Sequence, residues 1–397
     1  MNKPELLVPA GTPEKVTWAV KYGADAVYIG GDDFSLRANA INFDLKTIAR
    51  ACRYCHDHNV KLYVAVNIVF HESDLAKLDD YVFKLNEIGI DAIIVSDVAV
   101  IKRIKALTPN LNIHVSTQAS IYNREAALYY ESIGAKRVVL ARECPKSTIK
   151  DIITGTNLEV EVFIHGAMCA GFSGRCTLSN VINDRDANHG GCSQVCRFDF
   201  ELYEQDKNVT GKVPFSLAAK DLMMADYIKE LTDLGVASLK IEGRMRSIYY
   251  IAMITNAYRY IIDNKTHQSK RCAYNSWYNT ALKHTANRET IAQFFNDVYD
   301  ERASYYNGRS EVSNQDFLGI VKAISSDYLI IEERNAFEIG DKATLISPGA
   351  LPINFVIKEM FDEDDNPITR ANHPHQTVKI PVSFNAKPGD IIHRQFS

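Results

Sequence analysis

Four cysteines lie close together in the middle of the chain, at Cys169, Cys176, Cys192 and Cys196. Glycines lie close to the pair Cys169 and Cys176 and to the pair Cys192 and Cys196. Glycine lets a backbone turn tightly around a ligand and present its N–H groups to that ligand. Thiolates that converge from two short segments can bind a tetrahedral metal ion or an iron–sulfur cluster. By ligand type, four cysteines suit zinc and iron–sulfur equally, although the spacing differs from the short knuckles of a zinc ribbon. We therefore predict a metal or iron–sulfur centre on these side chains.

Two other interpretations of the cysteines stay open. They could be inert buried thiols, although four within a single insertion make that the weaker interpretation. One of them could be a catalytic nucleophile with His165 as its base, but the crowding of four cysteines favours ligation. Elsewhere, Cys52 and Cys55 share one face of a predicted helix, where core packing is the better interpretation.

A second set of polar residues follows the ends of predicted strands. Its members are Asn67, Gln118, Arg142, Glu143, His165, Glu242 and Arg244. Arg37 lies in the long loop after the second strand and could reach the same edge. Charged groups there are costly unless they are paired or used, so they form either a ring of ion pairs or part of an active site. Arginines suit a carboxylate-bearing substrate through bidentate pairing. The catalytic candidates are Arg37, Gln118, His165, Glu242 and Arg244.

The elements that must position these residues alternate between short apolar strands and amphipathic helices. The predicted strands cover residues 6–9, 26–30, 62–67, 92–96, 113–117, 137–141, 160–164 and 238–242. Near-continuous apolar strands separated by helices predict a parallel sheet covered by helices. Glycines at the helix-to-strand joints, such as Gly89 and Gly235, suit the left-handed position that ends a helix.

Eight such units within roughly 250 residues predict a closed (β/α)8 barrel of the TIM type. The alternative is an open doubly wound sheet, which would normally have a Gly-rich phosphate loop after its first strand. The segment Ala10-Gly11-Thr12-Pro13 lacks that pattern. In a barrel enzyme the loops after the strands form the active face. The cysteine-rich insertion, residues 166–220, follows the seventh strand and is therefore expected on that face.

The predicted barrel occupies residues 1–263, and residues 264–312 have the pattern of a helical linker. From residue 313 to residue 397 the chain changes to short strands divided by turns, for example at Gly340-Asp341. This pattern predicts a small all-β barrel domain at the C-terminal end.

Composition and charge limit the classes of protein to which this chain could belong. The chain of 397 residues has a formal net charge of −4, which gives no support for non-specific nucleic-acid binding by the whole surface. We find neither a signal-peptide pattern nor an apolar run long enough to span a bilayer, so we expect a cytoplasmic protein with no membrane partner. In a reducing cytosol, clustered cysteines are more often metal ligands or redox groups than structural disulfides.

Several segments resemble one known family. Residues 161–169 (EVFIHGAMC) and 174–179 (GRCTLS) closely resemble the signature of the collagenase-like peptidases of unknown catalytic type. Residues 7–11 (LVPAG), 34–38 (FSLRA), 116–118 (STQ) and 240–244 (KIEGR) are also similar to its motifs. The resemblance extends over nearly the whole chain, including the C-terminal β domain found in longer members.

The resemblance implies more about function than the residues alone. Members of this family were first called proteases, whereas the better understood ones act in hydroxylation of tRNA, ribosomal RNA or ubiquinone. The length and C-terminal domain are closest to the group that forms 5-hydroxyuridine at the tRNA wobble position using prephenate. The resemblance thus implies tRNA and prephenate as partners, and a 4Fe–4S cluster, with zinc as the alternative. It also implies cluster ligands at Cys169, Cys176, Cys192 and Cys196.

Three hypotheses follow. In the first, the chain is an RNA-modifying enzyme in which Arg37, Arg142 and Arg244 hold the carboxylates of prephenate. In the second it is a peptidase, although it has no His-Glu-x-x-His zinc motif, and its segment Gly171-Phe172-Ser173-Gly174 falls one residue short of a Gly-x-Ser-x-Gly elbow. In the third it is a non-catalytic, cluster-bearing partner of another protein.

Overall fold

The computed structural model describes residues 3–36, 43–211, 214–264, 271–286, 288–297, 301–305, 316–325 and 328–396. In chain order, the strands up to residue 291 are β1 (Glu5–Pro9), β2 (Ala26–Gly30), β3 (Lys61–Val66), β4 (Ala92–Val95), β5 (Asn112–Val115), β6 (Arg137–Val139), β7 (Glu159–Gly166), β8 (Tyr203–Glu204), β9 (Lys207–Asn208), β10 (Asp221–Met223), β11 (Ser238–Ile241) and β12 (Thr290–Ile291). The later strands are β13 (Phe317–Ser325), β14 (Tyr328–Glu333), β15 (Phe337–Glu338), β16 (Lys342–Ile346), β17 (Ile353–Val356), β18 (Arg370–Ala371), β19 (Thr377–Pro381) and β20 (Ile391–Arg394). The helices are α1 (Pro13–Lys21), α2 (Leu45–Asp57), α3 (Leu75–Ile88), α4 (Val98–Leu107), α5 (Arg124–Ser132), α6 (Lys146–Gly155), α7 (Leu178–Asn183), α8 (Ile228–Leu234), α9 (Ile248–Asp263) and α10 (Arg271–Ala286).

Eight parallel strands close into a barrel. Each strand from β1 to β7 pairs in parallel with the next one, and β11 pairs in parallel with both β1 and β7. The predicted (β/α)8 barrel is therefore confirmed, with β11 as its eighth strand. Two short strands extend the sheet beyond the barrel, since β10 pairs antiparallel with β7 and β12 pairs in parallel with β10.

Helices α1, α3 and α8 begin or end at the capping residues that the sequence predicts. The Thr12 hydroxyl accepts a hydrogen bond from Lys15 N at 3.3 Å, and Pro13 occupies the first turn of α1. Gly89 and Gly235 end α3 and α8 in the left-handed region, with φ of 82° and 92°. These caps stop each helix where the chain must turn into the next strand.

The barrel interior holds a buried ion-pair network. Glu161, on β7, has no solvent exposure, and its Oε1 atom lies 2.8 Å from Lys240 Nζ while its Oε2 atom lies 3.0 Å from Arg137 Nη1. Arg137 Nη1 also lies 2.6 Å from an oxygen of Glu5. Although burial alone would raise the pKa of Glu161, the ion pairs with Lys240 and Arg137 hold that pKa below its usual value. The network fixes charged groups from β1, β6, β7 and β11 inside the barrel.

The chain divides into two compact units, residues 1–275 with 288–311, and residues 276–287 with 312–397. Residues 264–312, predicted to be a helical linker, contain all of α10 and β12, and they are divided between the two units. The predicted small all-β domain corresponds to the strands of the second unit. They form an antiparallel sheet in the order β17-β16-β20-β13-β14-β19. In this described sheet the outer strands β17 and β19 are not paired with each other, so hydrogen bonding does not close it into the predicted barrel.

Apolar alternation builds the core of the second unit. In β14, Leu329 and Ile331 are buried, and in β19 the same holds for Val378 and Ile380. These side chains lie on one face of the sheet because successive strand residues point to opposite faces. Across the described parts of both units, we find no helix with the length and apolar character needed to cross a membrane.

Candidate active site at the carboxyl edge of the barrel

A cavity of about 140 Å³ lies among residues at and just beyond the carboxyl ends of the barrel strands. Its lining includes Tyr28, Asn67, Ser116, Gln118, Arg142, Phe163, Cys169, Ser173, Cys192, Lys240, Glu242 and Arg244. Parallel strands present their carboxyl ends at one edge, which is where barrel enzymes carry their active sites. The cavity is thus in the place that the barrel fold favours for chemistry.

Three of the five predicted catalytic residues meet in this cavity. Gln118, Glu242 and Arg244 all line it. Arg37 lies outside the described residues, so its position stays a prediction. His165 is not among the residues that line the cavity.

Arg244 is held by close backbone packing. Its Nη1 atom donates a hydrogen bond to Ser35 Oγ at 2.8 Å, and the residue is only 7% exposed. A Cβ atom at Gly30 would lie 1.8 Å from Arg244 Nη1, and one at Gly11 would lie 2.2 Å from the Arg244 carbonyl oxygen. Because any larger residue at Gly30 or Gly11 would collide with it, the two glycines create the space that Arg244 occupies.

Amide groups form another part of the cavity wall. Asn67 Nδ2 lies 3.5 Å from Gln118 Oε1 and 3.5 Å from Ser116 Oγ. The Oδ1 atom of Asn67 is buried and has no hydrogen-bond partner within the described structure. A buried acceptor without a partner is costly, so a ligand with a suitably placed donor would be stabilised here.

The floor of the cavity carries a cation that the sequence did not single out. Lys240 lines the cavity, and its Nζ atom lies 4.5 Å from the centre of the Tyr28 ring and 5.4 Å from that of Phe163. The Arg142 guanidinium stacks on the Phe163 ring, with its Cζ atom 4.1 Å from the ring centre. The sequence signals for Lys240 were its place in the KIEGR segment, residues 240–244, and its charge within the short strand Ser238–Ile241.

A β-bulge turns His165 away from the cavity. In the pairing of β7 with β11, Phe163 faces Lys240 and His165 faces Ile241, so Ile164 is the extra residue. A bulge reverses the direction of the side chains that follow it. His165 accordingly packs against α9, where its Nδ1 atom lies 3.2 Å from Tyr258 Oη.

The environment of His165 keeps its ring neutral. Burial, with a smaller effect from Arg246, lowers the pKa of His165 to about 3. Its Nε2 atom is buried with no hydrogen-bond partner among the described residues. The geometry therefore separates His165 from the cysteines for which it was the candidate base.

The four predicted ligand cysteines gather at the mouth of the cavity. Cys169 and Cys192 are exposed and line the cavity, whereas Cys176 and Cys196 are half-buried. Burial raises the pKa of Cys196, and the charges of the other three thiols act in the same direction. The thiols are therefore close enough to interact electrostatically, although no three of these sulfurs form a group within 4.8 Å.

Asn188 positions the second cysteine through its backbone. Its Oδ1 atom accepts a hydrogen bond from Cys176 N at 3.3 Å, and its Nδ2 atom donates one to Cys176 O at 3.1 Å. Leu178 N donates to the Cys176 sulfur at 3.4 Å. Backbone N–H groups that point at a sulfur are suited to a thiolate ligand.

Possible nucleophiles lack the arrangement that peptide cleavage needs. Ser173 lies in the left-handed region with φ of 53°, and its N–H donates to Glu143 Oε1 at 2.9 Å. Its hydroxyl has no hydrogen-bond partner among the described residues, so no base activates it. Elsewhere, Cys52 Sγ lies 3.8 Å from His56 Nε2, but burial raises the pKa of Cys52 to about 11. A nucleophilic cysteine needs the opposite shift.

One further cluster was missed because its members are distant in the chain. His71, Asp74 and His189 each offer a metal-ligand atom, and these atoms all lie within 4.8 Å of one another. His189 is 115 residues from Asp74, so no local spacing could have indicated the contact.

Comparison with known proteins gives two family matches. The model described as "Peptidase family U32" matches residues 11–304, and the one described as "Peptidase family U32 C-terminal domain" matches residues 313–393. Together they span most of both units.

Three relatives illustrate the range of names in this group. The chain is 36% identical to "tRNA hydroxylation protein P1" of Bacillus subtilis, over 99% of this chain and 95% of the relative. It is 31% identical to "tRNA hydroxylation protein P" of Escherichia coli, over 96% of this chain and 94% of the relative. It is 32% identical to "Collagenase" of Porphyromonas gingivalis, over 66% of each chain.

Proposed function

This chain belongs to peptidase family U32, and we propose that it acts in RNA hydroxylation and not in peptide cleavage. One observation carries the proposal. A cavity with two arginines and a wall of amides lies beside four cysteines, in a chain similar along nearly its whole length to proteins named for tRNA hydroxylation. The specific reaction we propose is prephenate-dependent formation of 5-hydroxyuridine at the tRNA wobble position. A tRNA substrate would place that reaction in the cytoplasm.

The cofactor that we propose is a 4Fe–4S cluster on Cys169, Cys176, Cys192 and Cys196. A single zinc ion with Zn–S bonds of about 2.3 Å requires its sulfurs to lie within about 4.6 Å of one another. The four sulfurs do not form such a group of three, so the choice of a cluster over zinc rests on the resemblance of the cysteine segments to the family signature. When bound, such a cluster can transfer electrons.

The residues of the cavity suit a co-substrate with carboxylates, which we propose to be prephenate. Arg142 and Arg244 line the cavity, with Lys240 at its floor. Guanidinium groups bind carboxylates in a bidentate way, with hydrogen bonds stronger than neutral ones. Gln118 and Asn67 would orient the hydroxyl and carbonyl groups of the ligand. Arg37, in the loop after β2, stays a candidate for a further carboxylate contact.

Peptide cleavage is the second candidate function, because the family description and one relative carry that name. The described structure offers it little support. Among the described residues, no base lies within hydrogen-bond distance of the Ser173 hydroxyl, and the thiol of Cys52 is buried and held protonated by its raised pKa. The cavity residues suit anion binding better than nucleophilic attack on an amide.

The decisive experiment is mass spectrometry of tRNA nucleosides from a strain that lacks the gene. We expect 5-hydroxyuridine derivatives at the wobble position to disappear, and to return with the wild-type gene but not with a Cys176→Ala variant. The matched control is Cys144→Ala, which removes a buried thiol outside the quartet and should restore the nucleoside. A strain that cannot make prephenate should lose the nucleoside as well.

The purified protein tests the cofactor separately. Anaerobic purification should give a brown protein with thiolate-to-iron charge-transfer absorbance, and Cys176→Ala should lose the colour while Cys144→Ala keeps it. Intact wobble nucleosides in the deletion strain, combined with gelatin hydrolysis by the purified protein, would overturn the proposal in favour of a peptidase.

A further inference from the structure

Three ligand-type side chains meet where the cysteine-rich insertion contacts the loop after β3. We propose that His71, Asp74 and His189 bind a divalent transition-metal ion of the zinc class, and that this ion fastens the insertion to the barrel. Their ligand atoms lie within 4.8 Å of one another, and none of the three lines the cavity described above. The proposal does not depend on RNA hydroxylation.

The donor set determines the class of ion. Two imidazoles and a carboxylate are ligands that zinc and its neighbours accept, whereas magnesium and calcium prefer sets made of oxygens. Zn–N and Zn–O bonds of about 2.0–2.2 Å place neighbouring ligand atoms about 3.3–3.6 Å apart in a tetrahedral site. His189 Nε2 lies 3.0 Å from Asp74 Oδ2, so a small outward movement would admit the ion.

A fourth donor stands next to the three. Asp186 Oδ2 lies 3.4 Å from His71 Nε2, which is also close to the spacing of two ligands on one ion. In that position the carboxylate completes the coordination or fixes the orientation of the His71 ring. The His71 side chain is 56% exposed whereas that of Asp74 is 18% exposed, so the site is open to ions from solvent and supported from within.

The two contributing loops are held together independently of any ion. Val69 N donates a hydrogen bond to Asn188 O at 2.9 Å and so joins the two loops. Within the loop after β3, His71 N donates to Asp74 Oδ2 at 2.7 Å. The His71 and His189 rings stack with centroids 4.8 Å apart and planes at 24°. Ligands positioned in advance in this way lose less conformational freedom when an ion binds.

The location gives the ion a structural consequence. Asn188, next to His189, is hydrogen-bonded in both directions to the backbone of Cys176. An ion on His189 would therefore restrain the segment that positions one of the four cysteines. We infer that it acts by holding the insertion against the loop after β3.

Cobalt titration of the full-length, chelator-treated protein tests the site. Under anaerobic conditions we expect the difference between the wild-type and His71→Gln spectra to show d–d bands of one Co²⁺ per chain without a thiolate charge-transfer band, because these ligands are nitrogen and oxygen. His71→Gln and His189→Gln should each weaken this binding by at least about tenfold. The matched control is His56→Gln, because His56 Nε2 lies 2.9 Å from Asp91 Oδ2 in a pair that belongs to no described three-ligand group.

Amide hydrogen exchange measures how firmly the ion holds the insertion against the loop after β3. Zinc should slow amide exchange in residues 178–196 of the wild type, and it should have no such effect on His71→Gln. Cobalt bound through thiolates only, equal loss of binding in His56→Gln, or bound zinc with unchanged exchange would each overturn the proposal. None of these measurements involves RNA, so failure here is distinct from failure of the proposed hydroxylation.

Discussion

Arg142 donates from Nη1 to the sulfur of Cys169 across 3.9 Å. The two side chains come from the loops after β6 and β7, and both line the cavity. One guanidinium therefore contacts both a proposed cluster ligand and the space proposed for the co-substrate. Hydrogen bonds and positive charge near a cluster sulfur stabilise the reduced, more negative state.

We expect Arg142→Met to make the reduction potential of the anaerobically purified protein more negative. The reason is that the variant loses both the charge and the donor beside Cys169. Arg142→Lys keeps the charge and should retain most of the wild-type potential. A redox titration followed by electron paramagnetic resonance measures the shift, and equal potentials for wild type and Arg142→Met would contradict the assigned contact.

Gly30→Ala should act through Arg244. The new methyl group would stand 1.8 Å from Arg244 Nη1 and 2.2 Å from Ser35 Oγ, so it must displace the guanidinium from the cavity. Loss of a hydrogen bond from a charged group costs about 1.5–3 kcal/mol. We therefore expect KM for the carboxylate co-substrate to rise about tenfold or more, as it should in Arg244→Met.

Gly211→Ala is the control for that substitution. Nothing lies within 4 Å of a Cβ at Gly211, so this variant should keep wild-type kinetics. Thermal melting would establish that Gly30→Ala remains folded. A folded Gly30→Ala protein with unchanged KM would show that Arg244 does not bind the co-substrate.

Glu161→Gln should destabilise the barrel more than any exposed ion-pair variant. It would leave Lys240 and Arg137 buried without their shared carboxylate, and breaking a buried pair costs about 3–5 kcal/mol. Glu230→Gln breaks a half-exposed pair with Lys146 and should cost about 1 kcal/mol or less. Urea unfolding at neutral pH measures both free energies, and similar values for the two variants would refute the structural role of the network.

His165 should make the protein sensitive to mild acid. Burial lowers its pKa to about 3 in the folded state, whereas an unfolded histidine has a pKa of about 6.5. Between these values only the unfolded chain binds the proton, so His165 lowers stability by about 1.4 kcal/mol for each pH unit below about 6.5. This contribution is absent above that pH.

Removal of the His165 imidazole should make the free energy of unfolding depend less on pH. Urea unfolding of His165→Gln between pH 5 and pH 7 should show a smaller loss of stability per pH unit than the wild type. His58→Gln, at an exposed position, should keep the wild-type slope. Parallel profiles for wild type and His165→Gln would mean that the buried ring is protonated in the folded state.

The barrel could be predicted because its rules are local. Apolar strands separated by helices specify a parallel sheet. Glycines with a left-handed backbone conformation, such as Gly89, end each helix before the next strand. Since the carboxyl ends of such strands share one edge, Gln118, Glu242 and Arg244 were expected together before any contact was known. The same reasoning placed the cysteine-rich insertion at that edge, because it follows β7.

Tertiary structure decided the rest, because those features depend on contacts between distant segments. The sequence predicts His165 just past the end of a strand and at the active edge, yet β7 continues through it and the bulge in its pairing with β11 aims His165 at α9. Lys240 became a cavity residue through its position in the closed barrel. His71 and His189 meet only because folding brings the insertion against the loop after β3, a contact that no periodicity along the chain records.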